Sequence, residues 1–296
     1  VNLSLRLGVP ALIVSLTIVA FGTSAPELLI SINAVLDNAP GMALGNVVGS
    51  NTANILLVLG IPALLATMHT SECNTRKTYI QMIGASVLFI LLAFRGVFDW
   101  IAGIVLLAAL ALMLGDAFRD AKCHREACRN GDAEEVEGAD PNLPWWRISL
   151  FLVLGLIGLP LGANLLVENA TIIAKTYGIS DTVIGLTLVA IGTSLPELAT
   201  TVMAALRRQA DVALGNVIGS NMFNLLAIIG IASFVGPMPV DPEFLRLDLW
   251  VMLGASILLA PFVFWRWDLT RRWGVALTVL YVCYLFVVLI GGGNLT

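Results

Sequence analysis

Glu27 and Glu197 are the acids that lie deep within apolar stretches of this chain. An ionisable group at bilayer depth costs roughly 2.5–3.5 kcal/mol or more and marks a functional site by default. Each sits in a copy of one motif, GTSAPEL at 22–28 and GTSLPEL at 192–198. Pro26 and Pro196 stand directly before the glutamates. Proline has no N–H and clashes with the carbonyl four residues back, so the carbonyls of Gly22 and Gly192 are expected to be freed. Beside them lie Thr23, Ser24 and Glu27, or Thr193, Ser194 and Glu197. Each half offers hydroxyl, carbonyl and carboxylate oxygens within about one and a half helical turns. This is a hard-cation set; the absence of imidazole and thiolate argues against zinc or copper.

A second polar pattern follows each motif, GNVVGSNTAN from Gly45 and GNVIGSNMFN from Gly215. Its small residues allow close helix approach, and its asparagines bring amide oxygens. Asn54 and Asn224 each stand 27 residues after their glutamate (54 − 27 = 27; 224 − 197 = 27). A helical hairpin brings Ser50 and Asn54 level with Glu27, and Ser220 and Asn224 level with Glu197. Two carboxylates match the charge of one Ca²⁺, which takes about 6–8 oxygens. Without calcium, two bare carboxylates in a low-dielectric site repel. Other cations or protons must replace the ion, which is a physical basis for exchange.

The elements that position these groups are transmembrane helices. The chain is 58% hydrophobic and 12% charged, with a mean hydropathy of +0.91. Apolar runs of spanning length recur nine times, at about 9–36, 41–67, 78–95, 98–118, 148–170, 179–206, 212–235, 247–266 and 273–292. The spans contain no H-E-x-x-H and no nucleophile–base arrangement. No nucleotide-binding loop is present, so energy is expected from an ion gradient. The partners implied are ions and the lipid bilayer; no cofactor, nucleic acid or protein partner is indicated. Cys123, His124 and Cys128 share one loop, and His69 and Cys73 another. Their irregular spacing favours ordinary loop residues over a soft-metal site.

The two halves are a duplication. Residues 16–30 match 186–200 at 10 of 15 positions, and 43–60 match 213–230 at 11 of 18, all at an offset of 170. The second half has an apolar helix at 148–170 before its motif. The first half has no counterpart, because Val1 aligns with Thr171 (171 − 1 = 170). The expectation is nine helices of a ten-helix, all-α membrane protein with a trimmed first helix. Five spans per repeat invert the second repeat in the membrane, as in many secondary transporters. Basic residues divide 13 to 3 between the two sets of loops, so the richer side is expected to be cytoplasmic. The division is then 1–118 as first repeat, 119–146 as a cytoplasmic linker and 147–296 as second repeat, with the C-terminus outside.

The paired GTS-x-PEL and ALGNV-x-GSN segments resemble the alpha repeats of the calcium/cation antiporters, of which sodium/calcium exchangers are members. The resemblance covers the chain from Val1 to about Gly291, apart from the linker. It implies two inverted five-helix repeats and exchange of Ca²⁺ for Na⁺, and the short linker fits a bacterial or archaeal plasma membrane. It also implies cation ligands at Thr23, Ser24, Glu27, Ser50, Asn54, Thr193, Ser194, Glu197 and Ser220. Asn224 departs from the pattern, since several family members, including potassium-dependent ones, have Asp there; the site has one charge fewer. The first helix of each repeat moves as a gate in that family, which makes 148–170 one gate. Transport is expected to need the missing helix restored. A proton/calcium exchanger using the same glutamates is the alternative, and a cation channel a more distant one.

Overall fold

The computed structural model describes residues 11–70, 73, 75–129, 144–176 and 178–293. The helices, in chain order, are α1 Ser15–Thr23, α2 Ala25–Leu36, α3 Pro40–Leu65, α4 Arg76–Ala93, α5 Trp100–Arg129 and α6 Trp145–Thr176. They continue as α7 Asp181–Thr193, α8 Leu195–Leu206, α9 Ala210–Val235, α10 Pro242–Phe264 and α11 Arg271–Gly293. Among the described residues, six helices are long and apolar enough to cross a membrane. The bent pairs α1–α2 and α7–α8 raise this to eight. α6 covers the apolar run at 148–170. α5 runs beyond its apolar stretch to Arg129, into residues expected to be linker.

Both breaks fall at the serine of the GTS motif. Ser24 has φ −84° and ψ 6°, and Ser194 φ −78° and ψ 1°, outside the helical region. Pro26 and Pro196 then fall in the first turn of the next helix, where a missing N–H leaves no hydrogen bond unmade. The chain bends by 46° at the first break and 41° at the second. The spacing did not indicate the π-helical turns Ser15–Val19 and Gly185–Val189 that precede the breaks. Such widened turns are commonly found at functional sites.

α3 and α9 form the centre. Their most apolar windows are 83% and 89% buried inside the protein, against 22% for α5 and 28% for α11. The outer helices therefore present their apolar faces to lipid. The packing is crossed between repeats. A Cβ on Gly45 would lie 2.6 Å from the Thr182 carbonyl oxygen, and one on Gly185 2.5 Å from that of Met42, so α3 meets α7 backbone to backbone. Gly219 on α9 packs equally closely on Leu16 and Ala20 of α1. Gly60 on α3 crosses Gly274 on α11, while Gly230 on α9 crosses Gly103 on α5. Each repeat thus fills the seam of the other.

The loops confirm the inversion. β1 (Val97–Phe98) pairs antiparallel with β2 (Met238–Pro239), and Val240 N–H donates to the Gly96 carbonyl at 2.9 Å. The counterpart bridge, Met68 with Leu269, joins loops of the other set. There Arg76 donates to the Phe264 carbonyl at 3.1 Å, and Lys77 pairs with Asp116 and Asp120 at 2.7 Å. Loops that the charge count placed on one side therefore meet on one side. The α2–α3 and α8–α9 turns also match, with left-handed Asn38 (φ 57°) and Arg208 (φ 56°) at equivalent positions.

Candidate functional site

The two broken spans and the two central helices bring all ten residues singled out by the sequence into the buried interior. Glu27, Ser50, Asn54, Thr193, Glu197, Ser220 and Asn224 have no exposed surface, and Thr23, Ser24 and Ser194 have almost none. The glutamates occupy the first turns of α2 and α8. The positive end of a helix dipole there favours an anion by about 0.3–1 kcal/mol, more when partly buried. That is far less than the desolvation of two carboxylates. None of the described ion pairs involves either glutamate, and their charges act on each other.

Hydrogen bonds join the half-sites across the repeats. Ser24 Oγ of the first repeat donates to Glu197 Oε1 at 3.1 Å, and Ser220 Oγ donates to the same atom at 3.2 Å. Thr193 Oγ1 lies 3.2 Å from Ser50 Oγ and donates to Asn46 Oδ1 at 3.2 Å. Thr23 Oγ1 makes the mirrored contact with Asn216 Oδ1 at 3.5 Å. Asn46 and Asn216 act as braces. Asn46 Nδ2 donates to the Glu27 carbonyl at 3.3 Å and to Ser31 Oγ at 3.2 Å. Asn216 Nδ2 donates to the Glu197 carbonyl at 3.4 Å, Thr200 Oγ1 at 2.8 Å and Thr201 Oγ1 at 3.2 Å. Ser31, Thr200 and Thr201 were not singled out beforehand. The available signal was polar residues repeated at the same offset within apolar helices (201 − 31 = 170).

Several buried oxygens of the candidate set accept no hydrogen bond: both carboxylate oxygens of Glu27, Oε2 of Glu197, Oδ1 of Asn54, Oδ1 of Asn224 and Oγ of Ser194. Buried polar atoms are nearly always paired in native proteins. A cluster of orphaned acceptors, including a whole carboxylate, fits a place that receives a hard cation. α6 lies against both broken spans.

Among the described residues, the loops form no comparable centre. His69 Nδ1 lies 3.0 Å from Asp268 Oδ2, and among the described residues no three His, Cys, Asp or Glu side chains are arranged to hold a metal. The side chains of Cys123, His124 and Cys128 lie outside the described residues.

Comparison with known proteins agrees with this architecture. The family model for sodium/calcium exchanger protein matches residues 1–115 and 148–290. The sodium/calcium exchanger MaX1 of Methanosarcina acetivorans is 34% identical, over 95% of this chain and 90% of its own length. The inner membrane protein YrbG of Escherichia coli is 35% identical, over 94% of this chain and 86% of its own. A solved structure of the sodium-calcium exchanger NCX_Mj superimposes with a TM-score of 0.76 at 32% identity, covering 96% of this chain and 89% of that one. The inverted repeats, the broken helices, the crossed packing and these matches lead to one assignment. This multi-pass membrane protein belongs to the sodium/calcium exchanger protein family of cation antiporters.

Proposed function

We propose that this protein exchanges Ca²⁺ for Na⁺ by alternating access, with the cation held near the membrane midplane between Glu27 and Glu197. The observation that carries this reading is a set of orphaned buried oxygens to which both fully buried glutamates contribute. Six acceptors lack a partner: two of Glu27 and one each of Glu197, Asn54, Asn224 and Ser194. Ca²⁺ requires about that many oxygens. Thr23, Ser24, Ser50, Thr193 and Ser220 supply hydroxyls that bond to the carboxylate and the asparagine braces when no ion is bound and turn to the ion when it is. Two carboxylates left without calcium repel, so the empty carrier returns only with sodium ions in their place. The protein then works in the inner or plasma membrane. The side richer in Arg and Lys, with the 119–146 connection, faces the cytoplasm and the C-terminus lies outside.

The test is ⁴⁵Ca²⁺ uptake into proteoliposomes holding the full-length protein, under an outward Na⁺ gradient, an outward H⁺ gradient or none. Uptake under the Na⁺ gradient alone, lost in Glu27→Gln and Glu197→Gln, is the expected result. Uptake driven by H⁺ would transfer the coupling to protons. Uptake without any gradient would replace the antiporter by a channel.

A further inference from the structure

Where α3 and α9 cross, four asparagines and two methionines form a nearly twofold cluster. Asn51 Nδ2 donates to the Asn221 carbonyl at 3.2 Å and faces Met252 Sδ at 3.8 Å. Asn221 Nδ2 donates to the Asn51 carbonyl at 3.4 Å and faces Met82 Sδ at 3.8 Å. Every contact in this set has its mirror at the 170-residue offset. One bond breaks the symmetry. Asn54 Nδ2 donates to Asn221 Oδ1 at 3.1 Å. Its mirror would run from Asn224 Nδ2 to Asn51 Oδ1. Both of those atoms are buried and without a partner, an unmade donor and an unmade acceptor in one cluster. The backbone is unequal at the same place. Asn54 lies within regular helix running to Leu56, whereas Asn224 opens the π turn Asn224–Ile228.

Turning an inverted-repeat protein over about its pseudo-twofold axis exchanges both the repeats and the two sides of the membrane. A conformation in which the repeats trade arrangements is therefore the same structure open to the other side. We propose that Asn51 and Asn221 are positioning residues forming an alternating latch: Asn221 holds Asn54 in the described state, and Asn51 holds Asn224 in the oppositely facing one. The proposal rests on the alternating-access reading. The mutual Asn51–Asn221 bonds persist in both states and keep the half-sites at fixed separation. The latched asparagine is fixed by its amide nitrogen while the other is released, so the cation meets a different half-site rigidity on each side. The latch requires an amide at 224, because a carboxylate there has no N–H to donate.

The test uses hydrogen–deuterium exchange of the protein in lipid nanodiscs, reading α1, which packs on α9, against α7, which packs on α3. Asn221→Ala removes the acceptor for Asn54 and Asn51→Ala the acceptor for Asn224, and each removes an equivalent share of the mutual bonds. The expected result is that the α1-to-α7 exchange ratio moves in opposite directions in the two variants. The shift should be about 2- to 10-fold, the population change that one buried hydrogen bond supports. Shifts in the same direction, or none, would overturn the latch and leave a passive clamp. Should the alanine variants not fold, Asn54→Asp and Asn224→Asp remove the two donors with the same added charge, and opposite shifts are again required. ⁴⁵Ca²⁺ uptake by the full-length protein without substitutions is measured in parallel. Its failure under every gradient would remove the antiport reading, whereas opposite exchange shifts would still establish two interchanged states.

Discussion

The two glutamates occupy the same place in two copies of one motif, yet their surroundings differ. Glu197 is held, with Ser24 of the other repeat and Ser220 of its own both donating to Oε1. Neither carboxylate oxygen of Glu27 accepts a hydrogen bond. The seams differ in the same sense. α7 meets α3 through Gly185, with no side chain between the backbones, whereas at the equivalent position of α1 Ser15 Oγ donates to the Val212 carbonyl at 2.6 Å. The donors to Glu197, Ser24 and Ser220, have identical counterparts in Ser194 and Ser50, so the inequality between the half-sites at the glutamates lies in the conformation and not in the residue types. An exchanger needs such inequality in any single conformation, because a fully symmetric arrangement faces neither side.

Removing either carboxylate tests the comparison most severely. Taking one partner from a buried charged cluster costs about 3–5 kcal/mol. Glu27→Gln and Glu197→Gln are each expected to weaken Ca²⁺ binding by roughly 100-fold or more, read by isothermal titration. Equal Ca²⁺ affinity in the wild type and either variant would remove that glutamate from the ligand set.

Stability without calcium should separate the two glutamates. Glu27→Gln neutralises a carboxylate that has no partner, so thermal unfolding in calcium-free buffer should rise, by roughly 1–3 kcal/mol of relieved desolvation. Glu197→Gln keeps an acceptor for Ser24 and Ser220 and should gain less. The reverse order would show that Glu27 is the better satisfied of the pair.

The seams are a smaller test. Gly185→Ala places a methyl 2.5 Å from the Met42 carbonyl oxygen and 2.9 Å from the Asn46 nitrogen. Overpacking of this kind costs about 1–3 kcal/mol, and it should slow Ca²⁺ uptake as well as lower the unfolding temperature. Ser15→Ala removes one hydrogen bond, worth about 0.5–1.5 kcal/mol. A Ser15→Ala effect larger than that of Gly185→Ala would invert the assignment of the tighter seam.

The smallest effect belongs to the loops. Lys77 is half exposed, with Asp116 and Asp120 at 2.7 Å. Exposed pairs of this kind contribute about 0–1 kcal/mol, so Lys77→Ala should leave both unfolding and uptake nearly unchanged. A marked loss of uptake would draw this loop into the transport cycle.

The sequence alone was sufficient for the class of protein, the duplication, the inversion and the polar residues that are buried together. Each is encoded locally: spanning length by apolar runs, the breaks by Gly and Pro, the buried polar set by oxygen-bearing side chains beside a glutamate. The division of basic residues between loops also anticipated which loops meet. The tertiary structure decided which oxygens are paired and which are left without a partner. The partners Ser24 and Glu197 are 173 residues apart, and Thr193 and Asn46 are 147 apart. Such contacts depend on how closely α3 and α9 approach the broken spans, which glycine positions permit but spacing does not specify. The crossed packing, the π turns and the single unmade bond at Asn224 arise at that level. They follow from fitting two similar halves against each other, where a pattern repeated in one dimension can satisfy only some of its hydrogen bonds at a time.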